Sequence, residues 1–138
     1  MAETISSVDY YYLTSLDKPG EGAKILSVCR EAGVNLLAVH AFPEGRRVQV
    51  DIVPEDGAAF LKLARKAKWK LSQKKKAFLV MGDDRVGVLA GILEKLAEAK
   101  INVTAVSALC AGSGRFGAIL WVKTRELRRA SKALGLMT

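Results

Sequence analysis

Side chains able to do acid–base or nucleophilic chemistry are sparse in this chain. His40 is the only histidine, and it falls within an apolar run that reads as a strand. A metal site needs several convergent ligands, and no cysteine or second histidine stands near His40 in sequence. It is therefore read as a packed or hydrogen-bonded side chain, and no metal is expected. Cys29 and Cys110 belong to no C-x-x-C or Cys/His cluster and are read as small apolar fillers in a reducing compartment. No G-x-S-x-G nucleophile turn occurs. The run GSGRFG (Gly112 to Gly117) has the glycine spacing of a phosphate loop. It lacks the G-K-[ST] ending and the helix that must follow, and it reads as a hairpin turn. The chain is expected not to be an enzyme and to need no cofactor.

What the sequence does contain is one motif stated twice. With an offset of 67 and no gaps, Asp17 meets Asp84, Gly20 meets Gly87, Ala23 meets Ala90 and Ile25-Leu26 meets Ile92-Leu93. Glu31-Ala32 then meets Glu98-Ala99, Asn35 meets Asn102, Ala38-Val39 meets Ala105-Val106, and Ala41 meets Ala108, so that 11 of 25 aligned positions are identical. That is a duplication, and the architecture must be read from one repeat unit.

The elements that hold these residues can be read in both copies. Val8 to Leu16 and Ala77 to Gly82 are rich in aromatic and β-branched residues and end at turn residues, hence strands. Ile25, Leu26, Cys29 and Ala32 recur at helical spacing, as do Ile92, Leu93, Leu96 and Ala99, which predicts one buried stripe on each helix. Gly33 closes the first helix. The next strands are VNLLAVHAF and INVTAVSAL, with turns at PEGR and AGSGR and return strands RVQVDIV and FGAILWV. A second helix is expected from Glu55 to about Lys68, with Pro54 at its start, and its counterpart from Thr124 to about Leu134. Each unit reads strand-helix-strand-strand-helix, and the first continues into a short strand near Lys70 to Gln73. This is the ferredoxin-like βαββαβ order of an α+β fold, antiparallel sheets with helices on one face, divided into units 1–73 and 74–138. Only GLMT follows Leu134, so the second unit is expected to lack its last strand. The open edge at Ala77 to Gly82 must then be covered, by the linker or by a neighbouring chain.

At this level the sequence resembles a tandem pair of ACT domains, small regulatory modules that bind amino acids. The resemblance rests on DKPG (Asp17 to Gly20), its echo DRVG (Asp84 to Gly87), the helix after each, and the GVNL and KINV that follow. It covers Val8 to Leu134. The second copy departs in having Val86 for proline and Lys100 for the helix-ending glycine. The resemblance implies paired units with a small ligand at their interface, and a homo-oligomer, most simply a dimer. It implies ligand contacts from Asp17, Gly20 and Asn35 in the first copy and from Asp84, Gly87 and Asn102 in the second. Physical chemistry agrees. A helix start offers unpaired N–H groups and partial positive charge to an α-carboxylate, and an aspartate beside it suits an α-ammonium. Asparagine can bridge either end of a zwitterion, and glycine lets the ligand approach the backbone. The plainer alternative is that each aspartate caps its helix and each asparagine only stops it.

Composition narrows the classes further. Hydrophobic residues make up 50% and charged residues 26% of 138, a globular balance. No stretch approaches a membrane span, and MAETISSVDYYY is not a secretory signal, so the cytoplasm is the expected place. The net charge is +8. Lys62, Arg65, Lys66, Lys68 and Lys70 lead into Lys74 to Lys76, while Arg125, Arg128, Arg129 and Lys132 follow helical spacing; both sets read as solvated faces. Nucleic acid is not an expected partner, since RNA-recognition sheets stack bases on paired aromatics of a K/R-G-F/Y-G/A-F strand, and GRFGAILWV carries Phe116 and Trp121 but not that motif. Its binding would be of the backbone type. The expected function is a sensor of an amino acid or similar metabolite acting on a separate target protein. The alternatives are a structural dimerisation module and a basic nucleic-acid-binding protein.

Overall fold

The alternation of apolar and polar residues in the β-branched runs becomes six strands, and the helical stripes become four helices, in a computed structural model that describes residues 3–136. In chain order these are β1 (Thr4–Leu16), α1 (Glu21–Glu31), β2 (Leu36–Glu44), β3 (Arg47–Pro54) and α2 (Gly57–Lys66). They are followed by β4 (Lys75–Asp83), α3 (Val88–Glu98), β5 (Ala105–Gly112), β6 (Arg115–Trp121), a 3₁₀ turn at Thr124–Glu126 and α4 (Leu127–Ala133). Hydrogen-bonded strands follow the order β2-β3-β1-β4-β6-β5. The β1–β3, β2–β3, β4–β6 and β5–β6 pairings are antiparallel, an α+β arrangement.

The chain divides into two compact units. One runs Asp9–Lys75; the other joins Lys76 onward to the chain's first residues, through Val8. In the Asp9–Lys75 unit, β3 is the central strand, with Leu13 opposite Val50 and His40 opposite Asp51. Tyr11, Leu13, Val50 and Ile52 point to one face, where Ile25 and Cys29 of α1 and Phe60 and Leu63 of α2 close the core. Phe60 is fully buried, stacked on Tyr11 with centroids 5.7 Å apart and tilted against Trp69. Burying such a ring contributes roughly 1.5–3 kcal/mol. Asp56, not Pro54, starts α2: its carboxylate accepts from the Ala59 N–H at 3.1 Å, while Pro54 ends β3.

The expected strand at Lys70 to Gln73 does not form. Ser72 N–H donates to the Tyr12 carbonyl (2.8 Å), but the return bond from Tyr12 N–H goes to the Ser72 hydroxyl (2.9 Å) instead of its carbonyl. The side chain has taken the backbone's place in the ladder, so pairing stops at one residue.

In the second unit the core gathers Phe78, Val80, Phe116 and Leu120 from the strands with Val88, Ile92 and Leu96 of α3 and Ala130 of α4. After α4, Gly135 turns the chain at φ +82 and Leu136 packs against the core rim; the rest of the stretch where a last strand was expected to be missing, 137–138, lies outside the described residues. The open edge of β4 is covered by neither the linker nor another chain but by the start of β1. Ile5 packs into this core, Glu3 pairs with Arg85 at 3.3 Å, and Glu3 lies so close to Gly82 that a Cβ there would fall 2.8 Å from the Glu3 Cα. This settles how the edge is protected. Periodicity could not reveal it, because strand pairing partners are non-local.

Candidate functional site

Each helix that follows a D-x-x-G turn starts on glycine in the left-handed region. Gly20 has φ +92 before α1 and Gly87 has φ +80 before α3, and neither helix has a side-chain cap. A residue with a Cβ would carry about 1–2 kcal/mol of strain in that conformation. Glu21 N–H reaches back to the Lys18 carbonyl at 3.4 Å and Lys24 N–H to that of Gly20 at 3.0 Å, so among the described residues the amides of Gly22 and Ala23 keep no backbone partner. Asp17 does not satisfy them. Its side chain is exposed and makes no hydrogen bond or ion pair among the described residues, which removes the capping reading. Asp17 instead lines a hollow of about 160 Å³ with Lys18, Glu21, Leu26, Val39 and Ala41.

The second corner repeats this with one change. Asp84 and Gly87 line a hollow of about 270 Å³ together with Ala90, Leu109, Cys110 and Phe116. Asp84 N–H donates to the Gly114 carbonyl at 2.8 Å, and its carboxylate accepts from the Cys110 thiol at 3.2 Å. Cys110 is thus no apolar filler. It sits exposed on β5, and its bond to Asp84, reinforced by the carboxylate charge, pushes the thiol pKa up. Cys29 is buried in the core, as its helical stripe predicts, and burial raises its pKa.

The asparagines stand elsewhere. Asn35 is exposed between Gly33 (φ +71) and β2, where its carbonyl accepts from Glu55 N–H at 2.9 Å. Asn102 is exposed in the segment before β5. Neither lines the hollow beside its own helix start. Val39 and Ala41 come four and six residues after Asn35, roughly 13–20 Å along a strand rising about 3.3 Å per residue. Leu26 is what the sequence reading missed. It was expected in the buried stripe of α1, yet it is 41% exposed and lines the first hollow. Adjacent Ile25 and Leu26 stand about 100° apart on a helix, so Leu26 lies at the margin of the buried stripe; at the same margin of α3, Leu93 packs against the core.

His40 is half-buried, with Nδ1 at 3.6 Å from the Asp51 carboxylate. Gln49 donates to the other Asp51 oxygen at 2.9 Å. This is a strand-pair contact that satisfies a buried carboxylate. Among the described residues no group of three or more His, Cys, Asp or Glu side chains could hold a metal ion, and no helix is long and apolar enough to cross a membrane.

Neither known protein families nor curated proteins match the sequence. Solved structures do match over nearly the whole chain. Protein BT0572 of Bacteroides thetaiotaomicron superposes with TM-score 0.79 at 12% identity, covering 94% of this chain and 88% of its own. The regulatory subunit of aspartate kinase from Thermus thermophilus gives 0.64 at 15%, covering 97% and 95%. The aspartokinase alpha and beta subunits give 0.61 at 18%, with the same coverage. The fold is ACT-like. At such identities the likeness is one of fold.

Proposed function

We propose that the chain is a non-catalytic regulatory protein of two ferredoxin-like, ACT-type units that binds an amino acid or similar small zwitterion at the corner before α1. The observation that carries this reading is the uncommitted state of that corner. Among the described residues Asp17 caps nothing and pairs with nothing, and the first-turn amides of Gly22 and Ala23 stay open beside it. A carboxylate and open helix-start amides complement the two ends of an α-amino acid. The hollow, well below the 300–1,000 Å³ of drug-sized sites, suits a small molecule. Leu26 and Val39 give an apolar wall for its side chain. The corner before α3 is the weaker one, because the Cys110 thiol already occupies Asp84. Asn35 and Asn102 would contribute only across an interface between paired units. The fold shared with proteins described as regulatory subunits of aspartate kinase supports a regulatory role, exerted on a separate target protein.

A thermal-shift screen of the twenty amino acids tests this. A ligand at about 100 times its Kd adds about 2.7 kcal/mol of stability, and Asp17→Ala should abolish that shift while Asp84→Ala leaves it. Absence of any shift, or a shift indifferent to Asp17→Ala, refutes the reading. A second reading, structural pairing of chains as a homodimer, draws support from the edge strands: Leu37 and Val39 on β2 and Val106 and Leu109 on β5 are exposed, Leu109 by 67%. Sedimentation as a dimer without any ligand response would favour it.

A further inference from the structure

All of the chain's net charge sits in one stretch. Between Asp56 and Asp83 there are eight lysines and arginines and no aspartate or glutamate, leaving fourteen cations against fourteen acids in the rest of the chain. Helix α2 buries Phe60, Leu63 and Ala64 and exposes Lys62, Arg65 and Lys66; Lys68, Lys70 and Lys74 are exposed along the segment joining it to β4. None of these six makes an ion pair among the described residues. On α1, which packs on α2, Glu21 pairs with Lys24 at 3.5 Å and Glu31 with Arg30 at 3.4 Å, while Asp56 caps α2. The helix dipole accounts for Arg65 and Lys66 in the last turn, not for Lys62 or for the cations beyond the helix. Six uncompensated positive charges within thirteen residues repel one another and call for an anionic partner.

We infer that this strip binds the phosphodiester backbone of nucleic acid, without reading sequence. Five of the six cations are lysine, a residue depleted at protein–protein interfaces but effective as a point charge on phosphate. The strip offers no base-stacking platform, since Trp69 is half-buried against Phe60. Its aromatic, Trp69, packs on Phe60, and Leu61 is the large apolar side chain α2 exposes, too little apolar surface to insert into a membrane. The partner is then recognised by its charge alone. The inference goes beyond the amino-acid reading and does not depend on it, because none of the six cations lines the hollow before α1.

Fluorescence anisotropy with a labelled mixed-sequence DNA duplex tests it, with no amino acid present. Six phosphate contacts predict that affinity falls by about 10³ between about 50 and 200 mM salt. The triple variant Lys62→Glu, Lys66→Glu, Lys70→Glu should lose about 100-fold or more at low salt. The variant Arg125→Glu, Arg128→Glu, Lys132→Glu changes the net charge equally on the 3₁₀ turn and α4 and should lose less than about 5-fold. Should the triple variant fail to fold by circular dichroism, the single reversals Lys62→Glu and Lys70→Glu each should reduce the salt slope by about one. No binding at low salt overturns the inference. So does an equal loss in both triple variants, unchanged slopes in the singles, or tighter binding to phosphatidylserine vesicles than to DNA.

Discussion

Gly82→Ala tests the cover of the β4 edge directly. Gly82 is buried, and a methyl group there would lie 2.8 Å from both the Cα and the Cβ of Glu3. Carbon atoms pack best at about 3.5–4.0 Å, so the incoming strand must retreat by roughly 1 Å or the backbone of β4 must bend. Overpacking of this kind costs about 1–3 kcal/mol. Alanine restricts the unfolded chain more than glycine and returns about 0.4–1 kcal/mol. The net loss should be about 1–2 kcal/mol, a fall in Tm of roughly 3–8 °C for a chain of this length. The deciding measurement is a double-mutant cycle by thermal and urea denaturation, in which the same substitution is made in a chain lacking residues 1–3. Removing Glu3 removes the clashing atoms, so the second Gly82→Ala should be near neutral, with a coupling of about 1 kcal/mol or more. If the methyl costs the same in both backgrounds, the start of the chain does not cover this edge and the reasoning fails.

Two further outcomes are expected. Lys100 ends α3 in the left-handed region at φ +61, where the first copy has Gly33 at φ +71; Lys100→Gly should therefore stabilise the protein by about 0.5–1 kcal/mol in urea denaturation, and a loss would show that the lysine side chain compensates its strain. Asp84→Ala removes both the acceptor and the negative charge that raise the Cys110 pKa. The pH profile of Cys110 alkylation should then move to lower pH, with faster reaction near neutrality; an unmoved profile would mean that the contact does not persist in solution.

The turn residues, helices and hairpins were legible in sequence because each depends on a few neighbouring side chains. Ser113 and Gly114 take φ +54 and +72 in the β5–β6 hairpin, as the glycine-rich run predicts. The left-handed glycines before α1 and α3 follow from the same local rule. Leu26 and Cys110 were misassigned because periodicity says which residues share a face, but not what covers that face. Leu26 borders an open hollow, and Cys110 stands on an edge strand within reach of a carboxylate 26 positions earlier.

By itself the sequence determined the duplication, the order of elements apart from the strand expected at Lys70 to Gln73, the two Asp-x-x-Gly corners and the concentration of positive charge, all one-dimensional patterns that local geometry translates directly. Only the tertiary structure decided that the start of β1 completes the second unit and that the asparagines stand away from the aspartates in their own units. It also showed that Asp17 is left uncommitted while Asp84 is engaged by a thiol. The physical reason is common to all three. Which strands pair, and which side chains then meet across or beside them, depend on residues far apart in sequence that are brought together only when the whole chain has folded.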